Sequence, residues 1–363
     1  MHVLLLSAYD AASHRQWRRG LVAAMPDWHW TQLTLPPRNF SWRVRGNSLS
    51  WGRGKAAELM ARPWDLVVAT SMTDLAALRG LVPRIGLVPT AVYFHENQFA
   101  YPRSEKAAHS IEPQMLNIYT ALCGDMLLFN SEFNRRTLLE GAERLLRRLP
   151  DCVPAGICEE IAAKSHLLPV PLEDALFEAE TQQLKDRPFT LSWAARWEYD
   201  KRPDRLLHIL QGLEAAGVDF RLNMLGQTFR NSPEEFALIR RDFAHRLLSV
   251  GFIEDKNQYQ GILRQSHVFL STAAHEFQGL AAMEASALGC SPLVPDEQAY
   301  PDYYPREMRF ADVPDAIAKL CALAERHQMG KELPLADFSR YRWKLLGEKY
   351  RHLLVSITGG GKI

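Results

Sequence analysis

Two glutamates stand eight residues apart in the stretch HEFQGLAAMEASALGCSPLVP, residues 275–295. Glu276 precedes Gly279 and a run of helix-favouring residues, so we expect Glu276 at a strand-to-helix turn and Glu284 on the helix. Unpaired backbone N–H groups at such a turn favour anions. A carboxylate on an apolar helix is costly unless it is hydrogen-bonded, and the vicinal hydroxyls of a sugar are suitable partners. The spacing favours a sugar-binding turn, although such a pair taken alone also fits an ordinary exposed helix.

Two cations flank a loop in SWAARWEYDKRPDRLL, residues 192–207. Arg196 and Lys201 follow a predicted buried strand and precede a predicted helix. A diphosphate bound at that loop would meet both positive charges. A pair of solvated surface cations is the alternative, and the nearby glutamate pair favours the diphosphate interpretation.

Polar residues also follow three predicted strands in the first half of the chain. Ser13 and His14 begin a helix after the first strand, with Ser13 as its predicted N-cap. The other members of this set follow later strands: His95, Glu96, Asn97, Gln98 and Asn130. Because ligands bind at the carboxyl edge of a doubly wound sheet, we predict that this set binds a ligand.

Aromatic and basic residues alternate in PRNFSWRVRGNSLSWGRGK, residues 37–55, which contain no acidic residue. Cations for phosphates beside aromatic rings for unstacked bases are what a single-stranded RNA loop requires. The predicted acceptor contacts here are Arg38, Trp42, Arg43 and Arg45. The alternative is a strand and turn with buried aromatic rings and solvated arginines.

Short apolar runs alternate with helical patterns along the whole chain, which is typical of buried parallel strands in an α/β fold. In the first half the predicted strands cover residues 2–8, 64–71, 90–97 and 125–131. In the second half they cover residues 189–196, 220–226, 247–253, 267–272 and 290–295. The pattern predicts two Rossmann-like doubly wound parallel-sheet domains facing a cleft.

The two series of strands set the predicted domain boundaries. We expect an N-terminal Rossmann-like domain over residues 1–172, a C-terminal Rossmann-like domain over 186–336 and a C-terminal crossover helix over 337–357. A polar stretch at 178–188 is the predicted linker. The last helix is aromatic and basic, and we expect it to pack back on the N-terminal domain.

Composition limits the class of protein. A chain of 363 residues exceeds what one hydrophobic core usually serves, and 47% hydrophobic with 23% charged residues indicates a compact globular protein. Five cysteines without zinc-like spacing indicate reduced thiols and a cytoplasmic location. No apolar run reaches about 18 residues, so no membrane insertion is predicted.

The pattern Glu-x-x-Gly-Leu-x-x-x-Glu-Ala-x-Ala-x-Gly resembles the donor-binding signature of retaining glycosyltransferases of family four, which have the GT-B architecture. The resemblance implies that Glu276 and the adjacent amides hold the donor sugar and that Glu284 binds the nucleotide ribose. Arg196 and Lys201 match the cations that clamp the diphosphate in that family. The remaining implied donor contacts are Gly226, Ile253, Phe277, Gln278, Gly279 and Leu280.

One departure from the family pattern concerns the sugar pocket. Family members commonly carry Gly then Phe after the first glutamate, whereas Phe277 and Gln278 stand there in this chain. Phenylalanine does not adopt positive φ as cheaply as glycine does, so we expect a pocket that differs in detail. No Asp-x-Asp motif follows a strand, and no divalent metal and no other cofactor is predicted.

SAYDAASHRQW, YFHENQFAYP, LTLPPRNFSWRVRGNSLSW and SMTDLAALRG together resemble the tRNA-queuosine mannosyltransferase family, over nearly the whole chain. The resemblance implies a cytosolic enzyme that transfers mannose from GDP-mannose to queuosine in a tRNA anticodon loop. It assigns the N-terminal domain to the tRNA acceptor and the C-terminal domain to the sugar nucleotide. The implied acceptor contacts at the strand ends are Ser13, His14, Glu96, Asn97, Gln98 and Asn130. The implied catalytic residues are His95, Arg196, Lys201 and Glu276, with His95 acting as a base or only orienting the substrate.

Other functions stay open at this point. A GT-B glycosyltransferase with a lipid or small-metabolite acceptor would keep the same donor residues. A sugar-nucleotide-dependent phosphorylase or epimerase would share the architecture, and a non-catalytic RNA-binding protein would keep only the basic aromatic stretch. The nucleotide base, the hexose, the particular tRNA and the oligomeric state are not specified by the sequence.

Overall fold

The computed structural model describes residues 1–101, 110–178, 187–229 and 231–359. The chain forms two compact units. Residues 1–171 and 343–363 make up the first unit, and residues 172–342 make up the second. The predicted linker at 178–188 falls mostly on residues 179–186, which lie outside the described residues.

The described part of the first unit contains a parallel sheet of six strands in the order β2-β1-β3-β4-β5-β6. The strands are β1 His2–Ser7, β2 His29–Thr34, β3 Leu66–Thr70, β4 Thr90–Phe94, β5 Met126–Phe129 and β6 Ser165–Leu167. The helices are α1 Ala12–Ala24, α2 Phe40–Gly54, α3 Ala56–Met60, α4 Leu75–Leu81, α5 Glu112–Cys123, α6 Glu132–Leu146, α7 Ile157–Ala163 and, from the chain's end, α13 Trp343–Ser356.

The core of the first unit lies along its central strands. Every residue of β3, β4 and β5 is buried, which fits a parallel sheet covered on both faces. Helix α13 packs on α1, where Trp17 Nε1 donates a hydrogen bond of 3.1 Å to the Tyr350 hydroxyl. The Tyr350 hydroxyl in turn donates to the carbonyl of Pro169 at 3.1 Å. The end of the chain therefore joins the first unit, as predicted.

The described part of the second unit contains a parallel sheet of six strands in the order β12-β11-β10-β7-β8-β9. The strands are β7 Thr190–Ala194, β8 Arg221–Leu225, β9 Leu247–Gly251, β10 Val268–Leu270, β11 Ser291–Pro295 and β12 Arg309–Phe310. The helices are α8 Pro203–Ala215, α9 Glu235–Asp242, α10 Lys256–Arg264, α11 Leu280–Ala287 and α12 Val313–Gln328. The strand order reverses between β7 and β10, the place where doubly wound sheets bind ligands.

One local prediction was wrong, and one alternative is excluded. Ser13 is not the N-cap of α1: the helix begins at Ala12 after Ala11, and no side chain caps it. Residues 40–54 form helix α2, so the strand-and-turn alternative for the basic aromatic stretch is excluded. The α/β class with two doubly wound parallel sheets is confirmed.

Candidate active site

Hydrogen bonds tie together the two loops that follow β7 and β10. Thr272 accepts a bond of 2.9 Å from Trp193 Nε1 and donates one of 2.7 Å to the carbonyl of Lys201. The amide of Ala274 donates to the carbonyl of Asp200 at 2.9 Å. These bonds fix the loops at the point where the strand order reverses.

Lys201 lies at the centre of these loops with only 12% of its side chain exposed. Its Nζ donates to the carbonyl of His275 at 2.8 Å and lies 3.4 Å from carboxylate oxygens of both Glu276 and Asp200. Burial disfavours the ammonium ion, but the charges of Glu276 and Asp200 outweigh burial and raise the pKa of Lys201. The site thus carries a fixed positive charge at neutral pH.

Glu276 is the acidic partner of Lys201, 75 residues away in the sequence. Burial opposes its ionisation, yet the positive charge of Lys201 holds the pKa of the Glu276 carboxyl below its usual value. The carboxylate keeps 30% of its side-chain surface exposed. It is therefore charged at neutral pH and accessible from solvent.

Arg196 lies on the same loop as Lys201 and is more exposed, at 51% of its side chain. Its Nη2 lies 3.0 Å from Glu198 Oε2. The positive charge of Arg196 acts to lower the pKa of Lys201, against the larger effect of the two carboxylates. The sequence-predicted cation pair thus shares one loop, with one member buried and the other largely exposed.

The turn before α11 presents backbone rather than side chains. Phe277 packs edge-on against the His275 ring at a centroid distance of 4.8 Å, and Gln278 is 2% exposed with its amide directed to the sulfur of Met283. Gly279 has a φ of 80°, and a Cβ at that position would lie 2.8 Å from the Tyr300 ring. A larger residue does not fit there, so the turn depends on glycine.

Glu284 lies on α11 and is partly buried beside Leu280 on the same helix. Its charge reaches Tyr259 on the neighbouring helix α10, where burial first and Glu284 second raise the pKa of the phenol. The predicted position of Glu284 on the helix that follows Glu276 is observed.

Gly226 and Ile253 follow β8 and β9 at the same sheet edge. Gly226 has a φ of 138°, and a Cβ there would lie 1.7 Å from the carbonyl oxygen of Ala195. Only glycine allows the loops after β7 and β8 to approach so closely. Ile253 is partly buried next to Phe252, which is 64% exposed.

His14 and His95 form a stacked pair at the carboxyl edge of the first sheet. Their ring centroids lie 4.1 Å apart with planes inclined by 17°, and both side chains are buried. His14 Nε2 lies 2.9 Å from Glu96 Oε2. His95 Nε2 is buried and has no hydrogen-bond partner within the described ranges. The predicted proximity of the loops after β1 and β4 is thus observed, with side chains in direct contact.

Asn97, Gln98 and Asn130 make internal hydrogen bonds around this pair. The amide of Asn97 donates to Asn134 at 2.9 Å, and its oxygen accepts from the backbone of residues 99 and 100. The backbone amide of Gln98 donates to Asn117 at 2.7 Å. Asn130 donates to the carbonyl of His95 at 2.9 Å. These amides hold the loop after β4 in place.

The predicted acceptor residues before and on α2 divide into exposed and buried members. Trp42 is 49% exposed, and the side chain of Arg45 is 58% exposed while it lies 3.2 Å from Asp74. Arg38 and Ser13 are also exposed. Arg43 differs, because it is 9% exposed and its Nε donates to the carbonyl of Pro36 at 3.3 Å.

Several residues that organise the site were absent from the sequence-based prediction. Thr272 and Asn117 are buried and form hydrogen bonds to partners far away in the chain. Asp200 pairs with the adjacent Lys201, and its carbonyl accepts a hydrogen bond from the amide of Ala274. Single polar residues of this kind carry no spacing signal.

Across the described residues, no group of three or more His, Cys, Asp or Glu side chains could hold a metal ion, and no helix has the length and hydropathy to cross a bilayer.

Comparison of the sequence with known proteins identifies the family of this chain. Residues 2–172 match the sequence profile described as tRNA-queuosine alpha-mannosyltransferase N-terminal. The chain is 31% identical over 365 residues to the tRNA-queuosine alpha-mannosyltransferase of Drosophila melanogaster, covering 96% of this chain and 95% of that protein. The chain belongs to the tRNA-queuosine alpha-mannosyltransferase family. The family predicted from the sequence motifs is confirmed.

Another relative matches only part of the chain. Over 99 residues, this chain is 34% identical to the GDP-mannose-dependent alpha-(1-6)-phosphatidylinositol dimannoside mannosyltransferase of Mycobacterium tuberculosis. The matched segment makes up 27% of this chain and 25% of that protein.

Solved structures resemble the whole fold of this mannosyltransferase-family chain. Sucrose-phosphate synthase from Thermosynechococcus elongatus aligns with a TM-score of 0.73 at 14% identity over 99% of both chains. A trehalose-6-phosphate structure from E. coli bound with UDP-2-fluoro glucose aligns with a TM-score of 0.60 at 13% identity over 99% of both chains. The fold is therefore GT-B, as predicted.

Proposed function

We propose that this chain is a retaining glycosyltransferase that moves mannose from GDP-mannose onto the queuosine nucleoside of a tRNA anticodon loop. Family membership supports the reaction and the acceptor, and the GDP-mannose-dependent mycobacterial relative supports the GDP-mannose donor. The observation that carries the proposal is the contact between Lys201 and Glu276 where the second sheet reverses its strand order. A cation and a carboxylate at that edge suit a diphosphate and a sugar.

The second unit binds the donor in this proposal. Lys201 and Arg196 meet the diphosphate, because one is a buried fixed charge and the other is an exposed side chain on the same loop. Glu276 and the backbone amides from Phe277 to Leu280 hold the hexose. Glu284 binds the ribose, and the backbone around Gly226 and Ile253 contacts the nucleotide base.

The chemistry requires a charge to be stabilised as a bond breaks. The bond between the anomeric carbon and the diphosphate oxygen breaks, and a bond to an acceptor hydroxyl oxygen forms on the same face of the sugar. The acceptor proton passes to the departing phosphate, while Lys201 and Arg196 stabilise the negative charge on that group. In this scheme no protein side chain needs to act as the base.

The first unit binds the acceptor in this proposal, and its residues divide by exposure. Arg38, Trp42 and Arg45 are exposed and suit phosphates and unstacked bases. Ser13 is exposed at the start of α1, next to His14 in the sequence.

Four residues predicted as acceptor contacts are instead proposed to support the site. Hydrogen bonds within the protein hold the chain before α2 and the loop after β4, and they are made by Arg43, Asn97, Gln98 and Asn130.

The proposed location of the enzyme is the cytoplasm, where its thiols stay reduced.

The test is to incubate the protein with GDP-mannose and a panel of other sugar nucleotides, using tRNA that contains or lacks queuosine. Nucleosides are then released and analysed by mass spectrometry. A hexose added only to the queuosine nucleoside, and most rapidly from GDP-mannose, is the expected result. A hexose on a lipid extract or small metabolite instead of tRNA would support a different acceptor, and tRNA binding without any product would support a non-catalytic protein.

A further inference from the structure

The stacked rings of His14 and His95 cannot both carry a charge at low cost. Their centroids are 4.1 Å apart, and the two residues are only 3% and 6% exposed. Two like charges so close together in a buried place repel each other strongly. We therefore expect one of the two rings to stay neutral while the other is protonated.

The surroundings decide which ring takes the proton. His14 Nε2 lies 2.9 Å from Glu96 Oε2 on the loop after β4, and Asp10 on the loop after β1 adds a second negative charge. Two further charged groups, Arg15 and Arg18 on α1, lie 3.5 Å and 3.0 Å from Asp10. Although burial opposes protonation of His14, the carboxylates of Glu96 and Asp10 raise its pKa.

Among the described residues, His95 has no comparable acidic partner. The ring of Trp17 lies edge-on to it at 4.9 Å and the ring of Tyr93 lies tilted at 4.6 Å. Helix α13 contributes only the uncharged Tyr350, which contacts both of those aromatic residues. Burial first, and the charge of His14 second, hold the pKa of His95 well below its usual value.

The His95 ring has a nitrogen that is available for a ligand. His95 is more than nine-tenths buried, yet its Nε2 has no hydrogen-bond partner in the described part of the chain. Leaving such a nitrogen unpaired is costly, whereas a neutral imidazole nitrogen pairs readily with a hydroxyl group.

We propose that His14, anchored by Glu96, is a positioning residue that orients the His95 ring and keeps it uncharged, so that His95 Nε2 pairs with a substrate hydroxyl. The inference rests on the proposed glycosyl transfer for its last step only. The charge arrangement itself belongs to the free protein and is measured without any substrate.

The first experiment is an NMR titration of the full chain labelled with ¹⁵N in its histidine rings, with signals assigned from His95→Asn and His14→Gln. We expect His14 to take up its proton at a higher pH than an ordinary histidine, and His95 at a much lower pH than an ordinary histidine. In His14→Gln the titration of His95 moves up by at least about one pH unit. A wild-type His95 that takes up its proton near its ordinary pKa, or one whose titration is unmoved by His14→Gln, would overturn the proposal.

The second experiment reads the same coupling in the reaction. In Glu96→Gln, which keeps the size of the side chain, His14 loses its charge partner, so the acid limb of the kcat profile moves to higher pH. The exposed His166→Gln serves as a control and leaves the profile in place. An acid limb that is identical in Glu96→Gln and wild type, with the NMR titration also unchanged, would assign His14 a purely structural role. Absence of any transfer in the wild type, with the expected NMR result, would count against the proposed reaction alone.

Discussion

Replacing Lys201 by methionine removes the buried positive charge while it keeps most of the side-chain volume. The substitution leaves the carboxylates of Glu276 and Asp200, each 3.4 Å from the lost Nζ, without their shared cation. Removing one partner of a buried ion pair costs about 3–5 kcal/mol. Because Glu276 keeps 30% of its side chain exposed, water compensates part of this loss, and we expect about 2–3 kcal/mol.

The loss of stability depends on pH in a defined direction. The pKa of Glu276 is lowered in the folded chain, so its ionisation stabilises the fold above the ordinary value of 4.5, and this contribution disappears as pH falls. Thermal melting should therefore show the widest gap between wild type and Lys201→Met near neutral pH, roughly 4–12 °C for the second unit. The gap should narrow at pH values below about 4.5.

The same substitution should act on the reaction more than on RNA binding. Loss of one group that stabilises developing charge commonly costs about 10²–10³-fold in kcat. Rates from nucleoside mass spectrometry and tRNA affinity from filter binding are measured in Lys201→Met and in Lys256→Met, a control at an exposed lysine. A Lys201→Met enzyme within about threefold of wild-type kcat, or one that loses tRNA affinity in equal measure, would refute the assigned role.

Three further substitutions test other parts of the structure. Gly226→Ala forces a Cβ to within 1.7 Å of a carbonyl oxygen at a φ of 138°, so calorimetry should show a larger loss of stability than in Gly217→Ala, which has open space at a φ of 71°. Trp42→Ala should weaken tRNA binding by about 1–3 kcal/mol without lowering the melting temperature, whereas Leu49→Ala, equally exposed on α2, should leave the affinity unchanged. Asn117→Ala leaves the backbone groups of two loops unpaired, so urea unfolding should show a loss of about 2–4 kcal/mol; a loss below about 0.5 kcal/mol would contradict its role.

The sequence predicted those elements whose own residues carry a strong local signal. The strands β1, β3, β4 and β5 are buried almost throughout, and each coincides with a predicted apolar run. The strand β2 was missed because its residues are mostly exposed or partly buried, and β12 has only two residues. Helix α2 contains three glycines and several aromatic residues, so its local propensity is poor and packing decides its conformation.

The same distinction applies to the site. The sequence indicated Glu276 and Lys201 separately, but their contact depends on the adjacency of β7 and β10, which only the strand order reveals. The pairing of His14 with Glu96 joins residues 82 positions apart and likewise follows from tertiary structure. Asn97 has the residue type of a ligand-binding side chain, yet it is buried among other amides, which is why we propose a supporting role for it.

A crystal structure of the chain with GDP-mannose tests the donor site most directly. We expect diphosphate oxygens within about 3.5 Å of Lys201 Nζ and of the Arg196 guanidinium. The hexose should lie against Glu276 and the amides that follow it, and the ribose hydroxyls against Glu284. A nucleotide bound elsewhere, or bound here with both cations and both carboxylates directed away from it, would contradict the assignment of this sheet edge as the donor site.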